Sequence, residues 1–524
     1  MKKILTIAVA CAGLMSFSAC SDFLDENPRS ELVTESFFQT QAQAEGAINN
    51  LYRNGAMYNY TNFGSAYINT FAAVQEELTG YFQNSYENQE VSCRYARTLT
   101  RQDHTIEIAG KMDEVWDHCY QGINRANAAI KYLPNIKIDE AGVADNLMGQ
   151  AKFFRAFNYF YLVKTFGAVP FYTEPYEVAE NMEVARTETT TIYAQIEQDL
   201  LEAIELLPAT KFTSDHRISK YTAAMLLTDV YMYEHKYAEA AEQAQFIINS
   251  GVHKLTQNSD LGENSAYNQL REEDNLDEVI YSYEHDPAIA NSGWLTTYAF
   301  NSSAVSVFDM YSIFERTHGP IDRFLNIYEE NDLRIQPGQF FVWKYTNPNN
   351  NKTWTYDKDQ GAGCWYYFDE DAMLNTGKGG KDWNIYRYAE TLLDAAESIA
   401  QSQGVTADAA NYLAQIKARA NQGTVEELTA ELQAMGKDAF IEECWNERLR
   451  ELPLEFKMWD LCVRVGKFPN ISETTKGQIT WVNLVGATTP ADATIKDSDL
   501  LWPISTNEIQ RNPKLEQNAG YARQ

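Results

Sequence analysis

Aromatic residues are concentrated in one segment of the chain, from 294 to 368, that is otherwise rich in turn-forming residues. Four of the ten tryptophans lie there: Trp294, Trp343, Trp354 and Trp365. Turn formers at 347–351 and 361–363 separate the rings, and such residues bring the backbone to the surface, where its amides meet water. The pattern predicts a platform of aromatic rings carried on surface loops.

Stacking against a sugar ring is the chemistry that such a platform can perform. A pyranose has an apolar face of C–H bonds and a rim of hydroxyls; aromatic rings complement the face, and Asn, Gln, Asp and Arg side chains complement the rim. If each stack contributes about 0.5 to 1.5 kcal/mol beyond area burial, several rings are needed to hold an oligosaccharide. We therefore predict ligand contact for the four tryptophans and for Tyr81, Tyr366 and Tyr367. The alternative is that the rings close a small local core.

Catalytic and cofactor motifs are not found in the sequence. No GxSxG, HExxH, phosphate-binding glycine loop, CxxC pair or complete dinucleotide fingerprint occurs. Asp357, Asp359 and Gly361 begin like a calcium loop. Ala362 and Phe368 stand where that loop needs a glycine and a glutamate, so a plain turn is favoured. We predict a binding protein without a catalytic residue, metal site or cofactor.

The amino terminus carries the pattern of an exported protein. Two lysines precede an apolar run at 4–14, and a small residue then precedes Cys20, so residues 1–19 are predicted to be a signal peptide that is removed. This arrangement resembles a bacterial lipobox, which makes Cys20 the predicted site of lipid attachment. Acyl chains bind a membrane firmly because each buried methylene contributes about 0.8 kcal/mol. The alternative is ordinary signal cleavage beside an incidental cysteine.

The chain is strongly acidic. Its formal charge is −30 at pH 7, so its electrostatic field repels polyanions and excludes nucleic acid as a partner, whereas neutral and cationic ligands are accommodated. A hydrophobic content of 44% suffices to bury a large core. Beyond the amino-terminal signal, no stretch approaches the roughly 20 uninterrupted apolar residues of a membrane span. The sequence therefore predicts a globular body that is held at a membrane by its amino terminus.

Helical periodicity fills much of the chain before residue 251. From 147 to 162 the apolar residues surround the helix nearly completely, which predicts a buried helix, and Gly167 and Pro170 supply its stop signal. An amphipathic helix is predicted at 190–207, and a helix pair at 219–249 partly matches a tetratricopeptide repeat. Such units bury their faces only by stacking on neighbours, so several helix hairpins should line up.

The helical period returns at Asp382, which is the predicted N-cap of the next helix. On that helix Glu390, Asp394 and Glu397 form an acidic face that we expect to be solvated. Further helices are predicted at 407–421, 425–435 and 437–452. Four tryptophans outside the aromatic segment are predicted to be core residues: Trp116, Trp445, Trp459 and Trp502.

Five short strings are spread along nearly the whole chain. They are CSDFLD at 20–25, AKFFRAF at 151–157 with GAVP at 167–170, YRYAE at 386–390, ER, EL and WDL between 447 and 461, and NP with QNAGY between 512 and 521. In this order they resemble the motifs of the SusD/RagB family of Bacteroidetes outer-membrane lipoproteins. The sequence departs from the family pattern at 455–460, which is one residue shorter, and at Ser505 and Ala519, where prolines are usual.

The resemblance implies a mostly α, SusD-like fold, with four tetratricopeptide-like hairpins packed on an irregular, loop-rich half that carries the ligand site. It divides the mature chain into an N-terminal region with the helical repeats, 20–250, and a C-terminal region with the aromatic platform, 251–524, in one compact unit. It also implies a lipid-anchored location at the cell outer membrane, facing the exterior. The implied partner is a TonB-dependent transporter of the SusC type.

The favoured interpretation is a surface lipoprotein that binds oligo- or polysaccharide and delivers it to the transporter without catalysis. A second interpretation is a peptide receptor, because RagB-like members of the family handle peptides and the acidic charge suits cationic peptides. A third interpretation, from another class of protein, is a glycoside hydrolase. With 73 acidic residues in the chain, no carboxylate pair can be singled out from sequence to support that third interpretation.

Overall fold

The computed structural model describes residues 38–60, 70–84, 91–99, 106–176, 183–288, 295–308, 318–356, 361–377 and 379–521. The predicted signal peptide, the predicted lipid attachment site Cys20 and the platform residue Trp294 lie outside these ranges, as do Asp357 and Asp359. Within the described ranges, no helix is both long and apolar enough to cross a membrane.

Helices dominate the described structure. In chain order they are α1 (Gln41–Leu51), α2 (Phe71–Glu77), α3 (Val91–Thr98), α4 (Ile106–Tyr132), α5 (Val143–Phe166), α6 (Thr189–Leu206), α7 (Phe212–Asp215), α8 (Lys220–Tyr233), α9 (Tyr237–Ser250), α10 (Ala266–Glu272), α11 (Asp322–Leu325), α12 (Tyr388–Gln403), α13 (Ala407–Arg419), α14 (Val425–Gln433), α15 (Lys437–Glu451), α16 (Met458–Val465) and α17 (Thr506–Arg511). The helices α4, α5, α6, α8, α9 and α12 pack side by side in that order, and α12 also contacts α13 and α15. This row confirms the prediction of a mostly α fold built from tetratricopeptide-like helix hairpins.

Helix α5 is enclosed because its sequence is apolar nearly all round. Its rings Phe153, Phe154 and Phe157 are all buried. The helix ends at Gly167, whose backbone φ of +72° favours glycine, and a Cβ there would lie 2.9 Å from the side chain of Leu501. The predicted buried helix and its glycine stop are both confirmed.

Short strands form five antiparallel pairs in the described residues. The pairs are β1 (Phe82–Gln83) with β3 (Gly319–Pro320), β2 (Val279–Tyr283) with β8 (Trp383–Arg387), β4 (Phe341–Val342) with β7 (Gly363–Cys364), β5 (Lys344–Thr346) with β6 (Thr353–Thr355), and β9 (Lys467–Ile471) with β10 (Ile479–Asn483). Each pair is small, so packing against the helices and loops stabilises it, because an isolated two-stranded sheet is only marginally stable in water.

The prediction that a helix begins at Asp382 is wrong. Residues 383–387 form β8, which pairs with β2, and α12 begins only at Tyr388. The carboxylate of Asp382 instead accepts the backbone N–H of His285 at 2.7 Å. Pairing with the distant strand β2 satisfies the backbone of this segment and overrides the helical spacing of its apolar residues.

The acidic face of α12 is buried, which contradicts the prediction that it is solvated. Its three acidic residues, Glu390, Asp394 and Glu397, are each at most 2% exposed. Arg448 of α15 pairs with Glu390 and, at 2.7 Å, with Asp394. Arg464 of α16 donates two hydrogen bonds of 2.7 Å to Glu397. A buried charge is costly unless it is paired, so the ion pairs with these arginines offset the cost of burying the three carboxylates.

Candidate functional site

Much of the aromatic segment forms a local core instead of an open platform. Phe300 lies within it, with its ring centroid 4.8 Å from that of Trp354 and 5.0 Å from that of Phe308. The ring of Phe308 in turn stacks on Tyr345 at 5.5 Å. Edge-to-face and offset arrangements of this kind are the favoured geometries of aromatic pairs. The alternative interpretation of the sequence, a small local core, therefore holds for part of the segment.

Four predicted ligand residues are buried, which contradicts their placement on an exposed platform. They are Trp354, Tyr366, Tyr367 and Tyr81, each at most 5% exposed. The indole N–H of Trp354 lies 3.0 Å from the hydroxyl oxygen of Ser303, to which it donates. The hydroxyls of Tyr367 and Tyr81 donate to backbone oxygens at 2.7 and 2.8 Å. These rings and their polar atoms are satisfied inside the protein, so they present no face on which a sugar can stack.

Trp365 is partly exposed, but the protein holds its ring on several sides. The ring stacks on Phe368 with centroids 4.4 Å apart and planes at 17°. The guanidinium of Arg271 lies 4.8 Å from the Trp365 centroid, within the range of cation–π attraction. The indole N–H donates to the Asn268 side-chain oxygen at 3.0 Å. These contacts fix the ring, and its contact with a ligand stays a prediction.

Trp343 is the predicted platform residue that lines a large open groove. It lies at the bend between β4 and β5 and is partly exposed, and its carbonyl oxygen accepts the N–H of Tyr356 at 2.8 Å. The concavity beside it, which we name the Trp343 groove, has a volume of about 770 Å³. Leu325, Ile335 and Pro337 add apolar surface to the lining, and charged and amide side chains form the rest of it. This volume lies in the range of small-ligand sites, roughly 300–1,000 Å³.

Arg323 of α11 bonds to the β9–β10 hairpin and so connects the two elements that form one wall of the groove. Its Nε donates to the carbonyl oxygen of Ile471 at 2.8 Å, and its Nη2 donates to Asn470 Oδ1 at 2.7 Å. Its Nη1 lies 3.1 Å from the carboxylate of Glu473. Arg323 and Ile471 are 148 residues apart in the chain. Arg323 and Glu473 are not predicted as site residues, because no local sequence pattern reports a contact over that separation.

The turn between β9 and β10, residues 472–478, docks against the loop that follows α11. The side-chain amide of Asn326 donates to two carbonyl oxygens of the turn at 3.0 and 3.2 Å, and its backbone carbonyl accepts the N–H of Gly477 at 2.8 Å. Gly477 has a φ of +76°, and a Cβ there would lie 2.7 Å from the Glu329 side chain. A glycine is therefore favoured at this position both by its backbone conformation and by the close approach.

A second concavity, which we name the acidic hollow, has a volume of about 530 Å³ and borders Phe368. Five carboxylates and two cationic side chains line it, and the cation Lys381 lies 3.0 Å from Asp274. Burial, together with the charge of Asp274, raises the pKa of the neighbouring Asp382 to about 8. Phe368 is buried beneath Trp365, so the hollow offers no open ring face. The Trp343 groove is therefore the better candidate for stacking on a sugar.

The cysteine thiols of the described residues are enclosed. All five are buried, and burial raises the pKa of the Cys119 and Cys444 thiols, which disfavours a nucleophilic thiolate. In the part of the chain that the structure describes, no group of three or more His, Cys, Asp or Glu side chains is placed to hold a metal ion. The Trp343 groove instead presents an apolar ring face beside hydrogen-bonding groups. Such a surface can bind a ligand.

A row of helix hairpins beside an irregular half is the architecture that the resemblance to the SusD/RagB family implies. The chain belongs to the SusD/RagB family. A family model described as starch-binding and associating with the outer membrane matches residues 22–232, and the SusD family model matches residues 285–521. Among curated proteins, the chain is similar to SusD-like protein P2 of Formosa agariphila, with 27% identity over 465 residues, or 85% of this chain and 88% of that relative.

Solved structures share the fold over nearly the whole chain. A SusD superfamily protein from Parabacteroides distasonis superposes with a TM-score of 0.77 at 26% identity, over 92% of this chain and 99% of that chain. Surface glycan-binding protein A from Bacteroides thetaiotaomicron, in complex with laminarihexaose, superposes with a TM-score of 0.68 at 18% identity, over 92% and 100%. A laminarin-binding SusD-like protein superposes with a TM-score of 0.69 at 22% identity, over 92% and 100%.

Proposed function

We propose that this protein binds oligo- or polysaccharide in the Trp343 groove. The observation that carries the proposal is a partly exposed indole in a groove whose remaining lining is rich in amide and charged side chains. This combination complements the apolar face and the hydroxyl rim of a pyranose. Fold neighbours described as binding laminarin or laminarihexaose support the proposal, since they show that this architecture can carry a glycan site.

We propose further that the protein delivers its glycan to a SusC-like TonB-dependent transporter, without catalysis, from the outer surface of the cell. Cleavage of the signal peptide 1–19 leaves Cys20 as the lipid-modified first residue that anchors the chain to the outer membrane. The description of the matching family model as associating with the outer membrane supports this location. A continuous hydrophobic core from Phe38 to Leu515 supports the proposal that 20–250 and 251–524 form one compact unit.

Replacing Trp343 with Ala is expected to weaken oligosaccharide binding about tenfold, which corresponds to about 1.4 kcal/mol, because the stacking face and its buried apolar area are lost. The measurement is calorimetric titration with laminari-, malto-, cello- and xylohexaose, to find a ligand for the parent protein, followed by titration of the variant. Trp343→Phe keeps an aromatic face and should retain much of the affinity. Phe246→Ala removes an exposed ring on the helix α9 and should bind as the parent does.

The same incubations test whether the protein is a catalyst. A binding protein leaves the hexasaccharide intact, so new reducing ends should not accumulate above a no-protein control. A release that rises with protein concentration and time contradicts the non-catalytic part of the proposal. Equal affinity of the parent and Trp343→Ala for every ligand that binds contradicts the placement of the site in the groove.

Replacing Cys20 with Ala is expected to move a folded protein from the outer-membrane fraction to the soluble fraction of the cell envelope. The physical reason is that acyl chains supply the membrane affinity in this proposal, at about 0.8 kcal/mol for each buried methylene. Immunoblotting of fractionated cells measures the distribution. Cys11→Ala, which changes a cysteine inside the predicted signal peptide, is the matched control and should still sediment with the membrane. Sedimentation of Cys20→Ala with the outer membrane contradicts the lipid anchor.

A further inference from the structure

The side-chain amides of the Trp343 groove donate their hydrogens to the protein itself. The side-chain amide of Asn326 donates to two carbonyl oxygens of the 472–478 turn. The side-chain amide of Gln336 donates to the carbonyl oxygens of Glu330 and Asp332 at 2.8 and 3.0 Å. Both amide hydrogens of each residue are therefore used. Each nitrogen of the Arg323 guanidinium likewise has a partner in the β9–β10 hairpin.

The carboxylate acceptors of the groove are more available than its amide donors. Three carboxylates line it, on Asp322, Glu330 and Glu473, against the two cations Arg323 and Lys476. The Glu330 and Glu473 side chains are 82% and 71% exposed, so their oxygens remain open to solvent. Each cation is paired with one of them: Lys476 lies 3.3 Å from Glu330, and Arg323 lies 3.1 Å from Glu473. The lining therefore carries one negative charge in excess, in a chain whose formal charge is −30.

We propose that the Trp343 groove selects neutral glycans, whose hydroxyls donate hydrogen bonds, and rejects glycans that carry uronate or sulfate groups. Neutral hydroxyls can donate to the exposed carboxylates, whereas an anionic group brings more acceptors and meets like charge. The two cations of the groove stabilise a bound anionic group only weakly, because that group must compete with Glu473 for Arg323 and with Glu330 for Lys476. This inference rests on the proposed function, and it names the chemical class of ligand that the groove takes.

Matched hexasaccharides test the selection directly. Calorimetric titration compares the neutral ligand that binds most tightly among laminari-, malto-, cello- and xylohexaose with hexagalacturonate and with a sulfated preparation of that same neutral hexasaccharide. We expect the neutral ligand to bind through Trp343 and both anionic ligands to bind at least tenfold more weakly at low salt. This difference in affinity should narrow as added salt screens the charges. Each titration is repeated with Trp343→Ala to show that the heat comes from the groove.

A charge-neutralising variant separates the local effect from the overall charge of the protein. Glu473→Gln removes one carboxylate from the groove and releases Nη1 of Arg323, so the ratio of hexagalacturonate affinity to neutral affinity should rise about fivefold at low salt. Glu431→Gln, at an exposed position on α14, changes the net charge equally and should leave that ratio as it is in the parent.

The outcomes distinguish the inference from the proposed function. If an anionic hexasaccharide binds through Trp343 as tightly as the neutral one, the selection is wrong but the glycan site stands. If the ratio rises equally in Glu473→Gln and Glu431→Gln, the groove carboxylates do not set the preference and the inference is likewise overturned. If no oligosaccharide binds, or if Trp343→Ala weakens none of them, the proposed function itself fails.

Discussion

Replacing Arg387 with Met is expected to lower the free energy of unfolding by about 3–5 kcal/mol, because it leaves the buried Glu455 carboxylate without its ion-pair partner and removes one of the two arginines that pair with Glu278. Arg387 is fully buried at the end of β8. It donates to the carboxylates of Glu278 at 2.6 Å and Glu455 at 2.7 Å, and to a carboxylate oxygen of Glu451 at 3.1 Å. Methionine keeps much of the volume but none of the charge. Urea denaturation followed by circular dichroism measures the loss.

The control for this prediction is Arg511→Met, which removes an exposed arginine from an ion pair on α17. Arg511 is 63% exposed and pairs with Glu508 three residues earlier. Water and salt screen such a pair, so its loss should cost about 0.5 kcal/mol or less. If Arg387→Met unfolds at the same urea concentration as Arg511→Met, the buried network does not stabilise the junction between β8 and α12, and the account of this core is wrong.

Replacing Trp354 with Ala is expected to destabilise the protein by about 3–5 kcal/mol, because truncation of a buried indole leaves a cavity. The ring is 2% exposed, lies against Phe300, and donates its N–H to side-chain oxygens of Asn301 and Ser303. Thermal unfolding followed by circular dichroism should show a clearly lower midpoint.

Trp343→Ala is the matched control, since both residues were predicted as platform rings and lie in the same segment. Trp343 is partly exposed, so its truncation should lower the unfolding midpoint much less than truncation of Trp354 does. Equal destabilisation by the two changes contradicts the distinction between a core ring and a groove ring. A larger loss for Trp343 places that residue in the core and removes the basis of the proposed site.

Sequence patterns predict those helices whose burial follows from the spacing of neighbouring residues. Helix α5 is an example, because a helix that is apolar all round can only be enclosed, and the glycine that ends it is adjacent in the chain. The four tryptophans predicted as core residues are likewise all buried: Trp116, Trp445, Trp459 and Trp502. Trp116 lies in α4 and Trp445 in α15, and the helical spacing of the sequence extends over both positions.

Local patterns fail where a distant segment decides the structure. Residues 383–387 have helical spacing but form a strand because β2, about 100 residues earlier, offers a backbone to pair with. The acids of α12 are predicted to be solvated, but Arg448 of α15 and Arg464 of α16 pair with them in the core. The sequence likewise shows that aromatic residues are concentrated at 294–368. Which of their rings face solvent depends on local bends, such as the one between β4 and β5.

The most direct test of the glycan site is a crystal structure of the protein with the neutral hexasaccharide that binds it most tightly. We expect a pyranose ring packed on the indole of Trp343, with carbon atoms about 3.5–4.0 Å apart, and sugar hydroxyls directed at the carboxylates of Glu330 and Glu473. Electron density for the sugar in the acidic hollow, or at any position without contact to Trp343, contradicts the proposed glycan site.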